Sequence, residues 1–94
     1  MKIFHDENKE LFYIKDEDNA NKTIGRMSYR KKDDHTIIIE HTLVDESYKG
    51  KGIGNLLMDE AVVFVRKNSF KIIPECSFVK FLFNKYPEKY KDVI

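Results

Sequence analysis

Gly50, Gly52 and Gly54 stand at alternate positions, with Lys49 before them, Lys51 between them and Asn55 after them. Glycine reaches backbone angles closed to other residues and lets a ligand approach main-chain amides closely. A glycine loop that runs straight into a helix adds the unpaired first N–H groups and the positive end of the helix dipole. The combination is a socket for an anion, most often a phosphate. Lys49 and Lys51 would face that anion, while Ile53, Gly54 and Asn55 open the helix that receives it.

Three other residues carry groups able to do chemistry. Cys76 is the lone cysteine, so no intramolecular disulfide can form. One reading makes it a small buried apolar side chain. The other places it at a helix N-terminus, which favours thiolate, as a nucleophile or general acid. An imidazole, such as that of His41, suits deprotonation of an amine or of Cys76. Glu40 is the rival base. Strand alternation sends Glu40 and His41 to opposite faces, so one of them can face a common site, and His41 is the candidate. No Cys/His spacing supports a metal site.

The elements that must position these groups follow in order. Ile3 to His5 and Leu11 to Ile14 read as a hairpin around a polar loop. Lys15 to Lys22 begins like a calcium loop but lacks the later ligands and the required glycine, and reads as a solvated turn. Ile24 to Arg30 alternates, with Ile24, Arg26, Ser28 and Arg30 on one face and Gly25, Met27 and Tyr29 on the other. Thr36 to Val44 is β-branched and nearly continuously apolar at its start, which predicts a central strand covered on both faces. Gly54 to Asn68 has helical spacing through Leu56, Leu57, Ala61, Phe64 and Val65, with early acids and late bases. Phe70 to Ile73 is a short parallel strand stopped by Pro74. A helix capped by Ser77 runs from Phe78 to about Lys85, with Phe78, Phe81 and Leu82 inward. Pro87 breaks it, and Tyr90 and Ile94 anchor a tail. The order is ββββαβα.

Ninety-four residues with 41% hydrophobic content make one small domain spanning residues 1–94. A net charge of +1 offers no general attraction to nucleic acid or an anionic membrane. The chain shows neither a membrane-spanning apolar run nor a signal-peptide core, and with its single cysteine it is expected in the cytoplasm, as a monomer or weak dimer.

Glycine spacing separates the phosphate-binding motifs. A Walker loop requires four residues between its glycines, then Gly-Lys-Ser/Thr; this chain has Gly-Lys-Gly-Ile-Gly-Asn. A dinucleotide fingerprint requires glycine where Asn55 stands, and antiparallel strands before the loop exclude a doubly wound sheet. Lys49-Gly50-Lys51-Gly52-Ile53-Gly54 instead resembles the Arg/Gln-x-x-Gly-x-Gly/Ala signature of the GNAT acyltransferase superfamily. Pro74-Glu75-Cys76-Ser77-Phe78 and Tyr86-Pro87-Glu88 resemble a small single-domain GNAT-like subfamily. The resemblance implies a minimal α/β (α+β) GNAT core with a mixed, mainly antiparallel sheet. It also implies acetyl-CoA as cosubstrate, its pyrophosphate on the glycine loop and its pantetheine arm along the backbone of Leu43 and Val44. The acetyl group would go to a primary amine of a small molecule or protein, or remain on Cys76 in an acyl-CoA-binding or sensing protein. A strand glutamate such as Glu40 often serves as base in larger members. Two departures stand out: Lys49 replaces the fork-shaped donor, and the N-terminal helices that help wall the acceptor site in larger members, like the final strand pair, are missing.

Overall fold

Alternating and β-branched runs in the first half of the chain fold as a four-stranded antiparallel meander. A computed structural model describes residues 1–94 throughout. Strands β1 (Lys2–Asp6), β2 (Leu11–Asp16), β3 (Lys22–Asp33) and β4 (Thr36–Val44) pair in sequence order. β5 (Lys71–Pro74) then joins β4 in parallel. The crossover between β4 and β5 is α1 (Ile53–Lys67), and α2 (Ser77–Lys85) follows β5. A short turn of helix, α3 (Pro87–Tyr90), is added to the expected order. Pro87 sits in its first turn, where a missing N–H costs nothing.

Directly paired residues share a face of a sheet, so register assigns the faces. Gly25, Met27 and Tyr29 of β3 are buried, while Arg26 and Arg30 are exposed, as their alternation predicts. Two bulges interrupt that alternation. One lies between Ile14 and Lys15, and Ile24, expected beside Arg26, is buried in the core there. The other separates the Ser28↔His41 pair from the Tyr29↔Ile39 pair and leaves Glu40 as the extra residue. Ile37 and Ile39 therefore share the face of Tyr29 before the bulge. After it, Thr42 and Val44 take that face, opposite Met27 and Gly25, and His41 and Leu43 point away with Ser28 and Arg26.

Buried side chains from the sheet and all three helices form one apolar cluster. α1 contributes Ile53, Leu57, Met58, Ala61, Val62 and Val65, whereas Leu56 and Val63 at the margins of its apolar face are exposed. Gly25 lets the start of α1 approach β3, because a Cβ there would lie 2.6 Å from Ile53 Cγ2. α2 buries Val79, Leu82 and Phe83, while Phe81 is exposed and Phe78 half-buried, a rotation of the expected stripe. Its N-cap is Cys76 in place of Ser77. The tail is anchored by Tyr90 and Val93 and leaves Ile94 exposed. The Ile72 N–H donates to the Val93 carbonyl at 2.6 Å, and Arg66 holds Asp92 and the Lys89 carbonyl. The sheet face opposite the cluster shows Phe4, Arg26, Arg30, His41, Leu43 and Ile73, all exposed. Ile38 is buried on that face between Arg30 and Ile73, without joining the main cluster. No helix is long and apolar enough to cross a membrane.

Candidate functional site

The parallel ladder between β4 and β5 ends at Ile39↔Pro74. The next two amides, Glu75 and Cys76, both donate to the Ile39 carbonyl, each at 3.0 Å. From that shared acceptor the strands part, and Glu40 to Val44 run on without a partner from β5. A pocket of about 420 Å3 opens in the gap. Its walls are Thr42, Leu43 and Val44 of β4, the loop into α1, the first turn of α1 and Phe78 of α2.

The loop is shaped by its glycines. Gly50 and Gly52 have φ of 80° and 78°, in the left-handed region that side chains resist. Gly54 leaves room for the Phe78 ring, which a Cβ would meet at 3.0 Å. Gly52 is the N-cap of α1 and supplies no side-chain cap. The first intrahelical bond is Leu56 N–H to the Gly52 carbonyl, at 3.1 Å. The amides of Ile53, Gly54 and Asn55 therefore have no acceptor within the protein, nor do those of Gly50 to Gly52. The first turn of α1 holds no acid, since Asp59 and Glu60 begin one turn later, so its positive dipole end is uncompensated. The loop thus has the geometry of an anion socket.

Polar anchors hold the loop in place. The Asp45 carboxylate accepts from the Ser47 N–H (3.0 Å) and Oγ–H (2.6 Å) and pairs with Lys22 at 3.0 Å. The Ser47 hydroxyl, followed by Lys22, holds the Asp45 carboxyl down at about 2. The Tyr48 hydroxyl donates to Asp16 at 2.6 Å and accepts from Asn19 Nδ2 at 3.2 Å. That pair of bonds ties the glycine loop to the β2–β3 turn, and the bond from Tyr48 lowers the Asp16 carboxyl. Lys51 Nζ lies 5.3 Å from the centre of the Tyr48 ring, and Lys49 pairs with Glu46 at 2.9 Å.

Leu43, Val44, Lys49, Gly50, Gly52, Ile53, Gly54 and Asn55 thus wall one pocket, with Lys51 set back over Tyr48. Cys76 is buried, and its Sγ–H donates to Thr42 Oγ1 at 3.3 Å. The thiol therefore lies one side chain behind the pocket wall. His41 lies on the opposite face of the sheet, exposed and without a hydrogen bond from its ring. Glu40 is held by Arg30, which also reaches Glu75 at 3.1 Å and so bridges the parting strands. Thr42, Tyr48 and Phe78 complete the walls of the site. A tyrosine two residues before the first glycine was the available signal for Tyr48.

Comparison with known proteins agrees with this architecture. A family model described as GCN5-related N-acetyl-transferase matches residues 11–93. A GCN5-like putative N-acetyltransferase from Staphylococcus aureus, solved by NMR, is 35% identical, with a TM-score of 0.75 over 98% of this chain and 85% of that one. A GNAT family acetyltransferase from Elizabethkingia anophelis, solved with acetyl-CoA bound, shares the fold at 23% identity and a TM-score of 0.63, over 81% of this chain and 51% of that one. Streptothricin acetyltransferase A of Bacillus subtilis is 28% identical over 77 residues, 74% of this chain; the chain spans 44% of that relative. With the family model covering nearly its whole length, the chain belongs to the GCN5-related N-acetyltransferase family.

Proposed function

We propose that this protein binds acetyl-CoA in the pocket between β4 and α1 and passes the acetyl group to a primary amine. The observation that carries the reading is the row of unpartnered amides from Gly50 to Asn55, set beside an unpaired length of β4. The amides would hold the pyrophosphate, and the β4 backbone would pair with the pantetheine arm as an added strand would. A thioester is already activated, so catalysis rests on positioning and on amide donors aimed at the carbonyl. The amine nitrogen forms a bond to the carbonyl carbon, the C–S bond breaks, and the proton lost by the amine ends on the departing CoA sulfur.

Cys76 supports a second reading. Its thiol touches Thr42 in the pocket wall, and with that side chain moved aside it would receive the acetyl group itself. The protein would then be an acyl-CoA-binding or sensing protein carrying an S-acetyl group. Purified protein is mixed with acetyl-CoA, and intact mass, thiol release and a panel of amines are followed. Acetylated amine with no lasting mass gain supports transfer; a mass gain of one acetyl group, lost in Cys76→Ala, supports the second reading. Gly52→Asp puts a negative charge into the socket, and undiminished CoA binding by that variant would sink both.

A further inference from the structure

The sheet face away from the helices carries a second hollow, of about 510 Å3, that shares Leu43 and Val44 with the first pocket. Register places Phe4, Tyr13, Arg26 and Leu43 in one transverse row across β1 to β4. Arg26 stands in that row on the middle strand of the sheet. The other arginines are both engaged, Arg30 with Glu40 and Glu75 and Arg66 with Asp92. Arg26 has no ion pair and donates to no acceptor in the protein, although its neighbours in the row are a phenol and a leucine. Lys9 and Lys15 line the same hollow, also without carboxylate partners. Lys15 Nζ lies 5.9 Å from the centres of the Phe4 and Tyr13 rings. Of the lining carboxylates, Asp45 is held by Lys22 and Ser47, and Asp6 accepts the Lys9 N–H. Asp6 alone is left to oppose three cations.

A bare guanidinium between apolar side chains is the arrangement that takes a carboxylate two bonds at a time. It also adjoins the slot through Leu43 and Val44, from the opposite face of the sheet. Arg26 pairs with Leu43, the residue after Thr42, and Thr42 touches Cys76. Strand spacing of ~4.8 Å and a rise of ~3.4 Å put the Arg26 and Thr42 Cα atoms about 6 Å apart. Arg26 and Thr42 face opposite sides of the sheet, but the edge of β4 is unpaired there. A ligand held by Arg26 can therefore pass round that edge and reach the parting strands with a group several bonds away. We propose that this hollow is the acceptor subsite and takes a primary amine that also carries a carboxylate, the carboxylate being gripped by Arg26. The proposal rests on the acetyl-transfer reading above.

The probes are 4-aminobutyrate and 4-aminobutanamide as acceptors, with their N-acetyl products as binding ligands, titrated by NMR in the presence of CoA. The acid product is expected to bind about tenfold or more tightly than the amide, as a charge-assisted bidentate contact implies. Arg26→Gln removes the preference, and Arg26→Lys restores part of it. Equal binding of acid and amide by the unaltered protein, or a preference that survives Arg26→Gln, overturns the proposal. So does an Arg26→Gln variant that binds CoA more weakly while binding dephospho-CoA normally, since the anion would then be the cofactor's own 3′-phosphate. Selective binding of the acid with no acetyl transfer to any amine overturns the acceptor role through the transfer reading. Loss of selectivity with transfer intact overturns the subsite alone.

Discussion

Replacing Gly25 with alanine tests how α1 is seated on the sheet. The added Cβ would come within 2.6 Å of Ile53 Cγ2 and 3.4 Å of Leu57 Cδ1. Both side chains are buried, so neither can swing into solvent. Overpacking of this kind costs about 1–3 kcal/mol. The stiffer unfolded chain offsets about 0.4–1 kcal/mol of that, leaving a net loss of roughly 1–2 kcal/mol. With a urea m-value of about 1–1.5 kcal/mol/M, suited to a chain of this length, the unfolding midpoint drops by about 1 M. The same displacement lifts the first turn of α1 out of the anion socket. CoA affinity should fall about 2- to 10-fold, the equivalent of one amide hydrogen bond. Ile53→Ala alone leaves a cavity costing about 2–5 kcal/mol. In the double variant the new methyl partly fills that cavity, so the combined loss falls short of the sum by about 1 kcal/mol or more. Urea unfolding of the wild type, both single variants and the double variant gives the cycle. A Gly25→Ala midpoint unchanged from wild type, or a strictly additive cycle, refutes the close-approach argument.

Other perturbations address the loop and the sheet margin. Gly52→Ala meets no steric obstacle, but its φ of 78° costs about 1–2 kcal/mol of strain; calorimetry should show weakened CoA binding, and wild-type affinity would remove the need for a left-handed residue there. Tyr48→Phe keeps the ring under Lys51 and deletes the bond to Asp16, so the Asp16 carboxyl should titrate nearer its ordinary value by NMR, while KM for acetyl-CoA rises and kcat holds. His5 shares a 2.6 Å hydrogen bond with Tyr29, whose hydroxyl burial pushes up to about 12, and stacks on Phe12. Burial lowers the His5 imidazole, so the unfolded chain takes up the proton first, and stability is lost as pH falls from about 6.5 through the folded value. Urea midpoints between pH 7.5 and 5 should decline less steeply in His5→Phe; identical slopes would show that His5 does not carry this dependence.

Much of this architecture is legible in the residues themselves. The β-branched run from Thr36 to Val44 coincides with β4, and the long apolar helix differs from α1 by one residue at each end. The glycine loop is legible because left-handed angles demand glycine at Gly50 and Gly52. What stays hidden depends on single-residue shifts. The bulge at Glu40 has no compositional mark, yet it decides that Thr42 walls the pocket while His41 looks out from the other face. The inward stripe of α2 lies one residue on from the Phe78, Phe81 and Leu82 that spacing predicts, because its Phe, Val and Leu side chains crowd nearly all round the helix. Which of them goes inward is fixed by tertiary packing, where Phe83 meets Tyr90. The bond from Tyr48 to Asp16 joins residues 32 positions apart, beyond any local pattern.

The Ile39 carbonyl, accepting two successive amides, also acts as the zero mark of a ruler. Five residues of β4, Glu40 to Val44, lie beyond it, and at ~3.3 Å per residue they offer about 17 Å of free strand edge to an extended ligand. The anion socket sits at the far end of that length, and the Cys76 thiol meets Thr42 at its middle. The Ile39 carbonyl at one end and the glycine-loop amides at the other are backbone groups, so the main chain sets the length between them. On the acetyl-transfer reading, a longer acyl group would have to push into the Cys76–Thr42 contact or draw its phosphates away from the glycines.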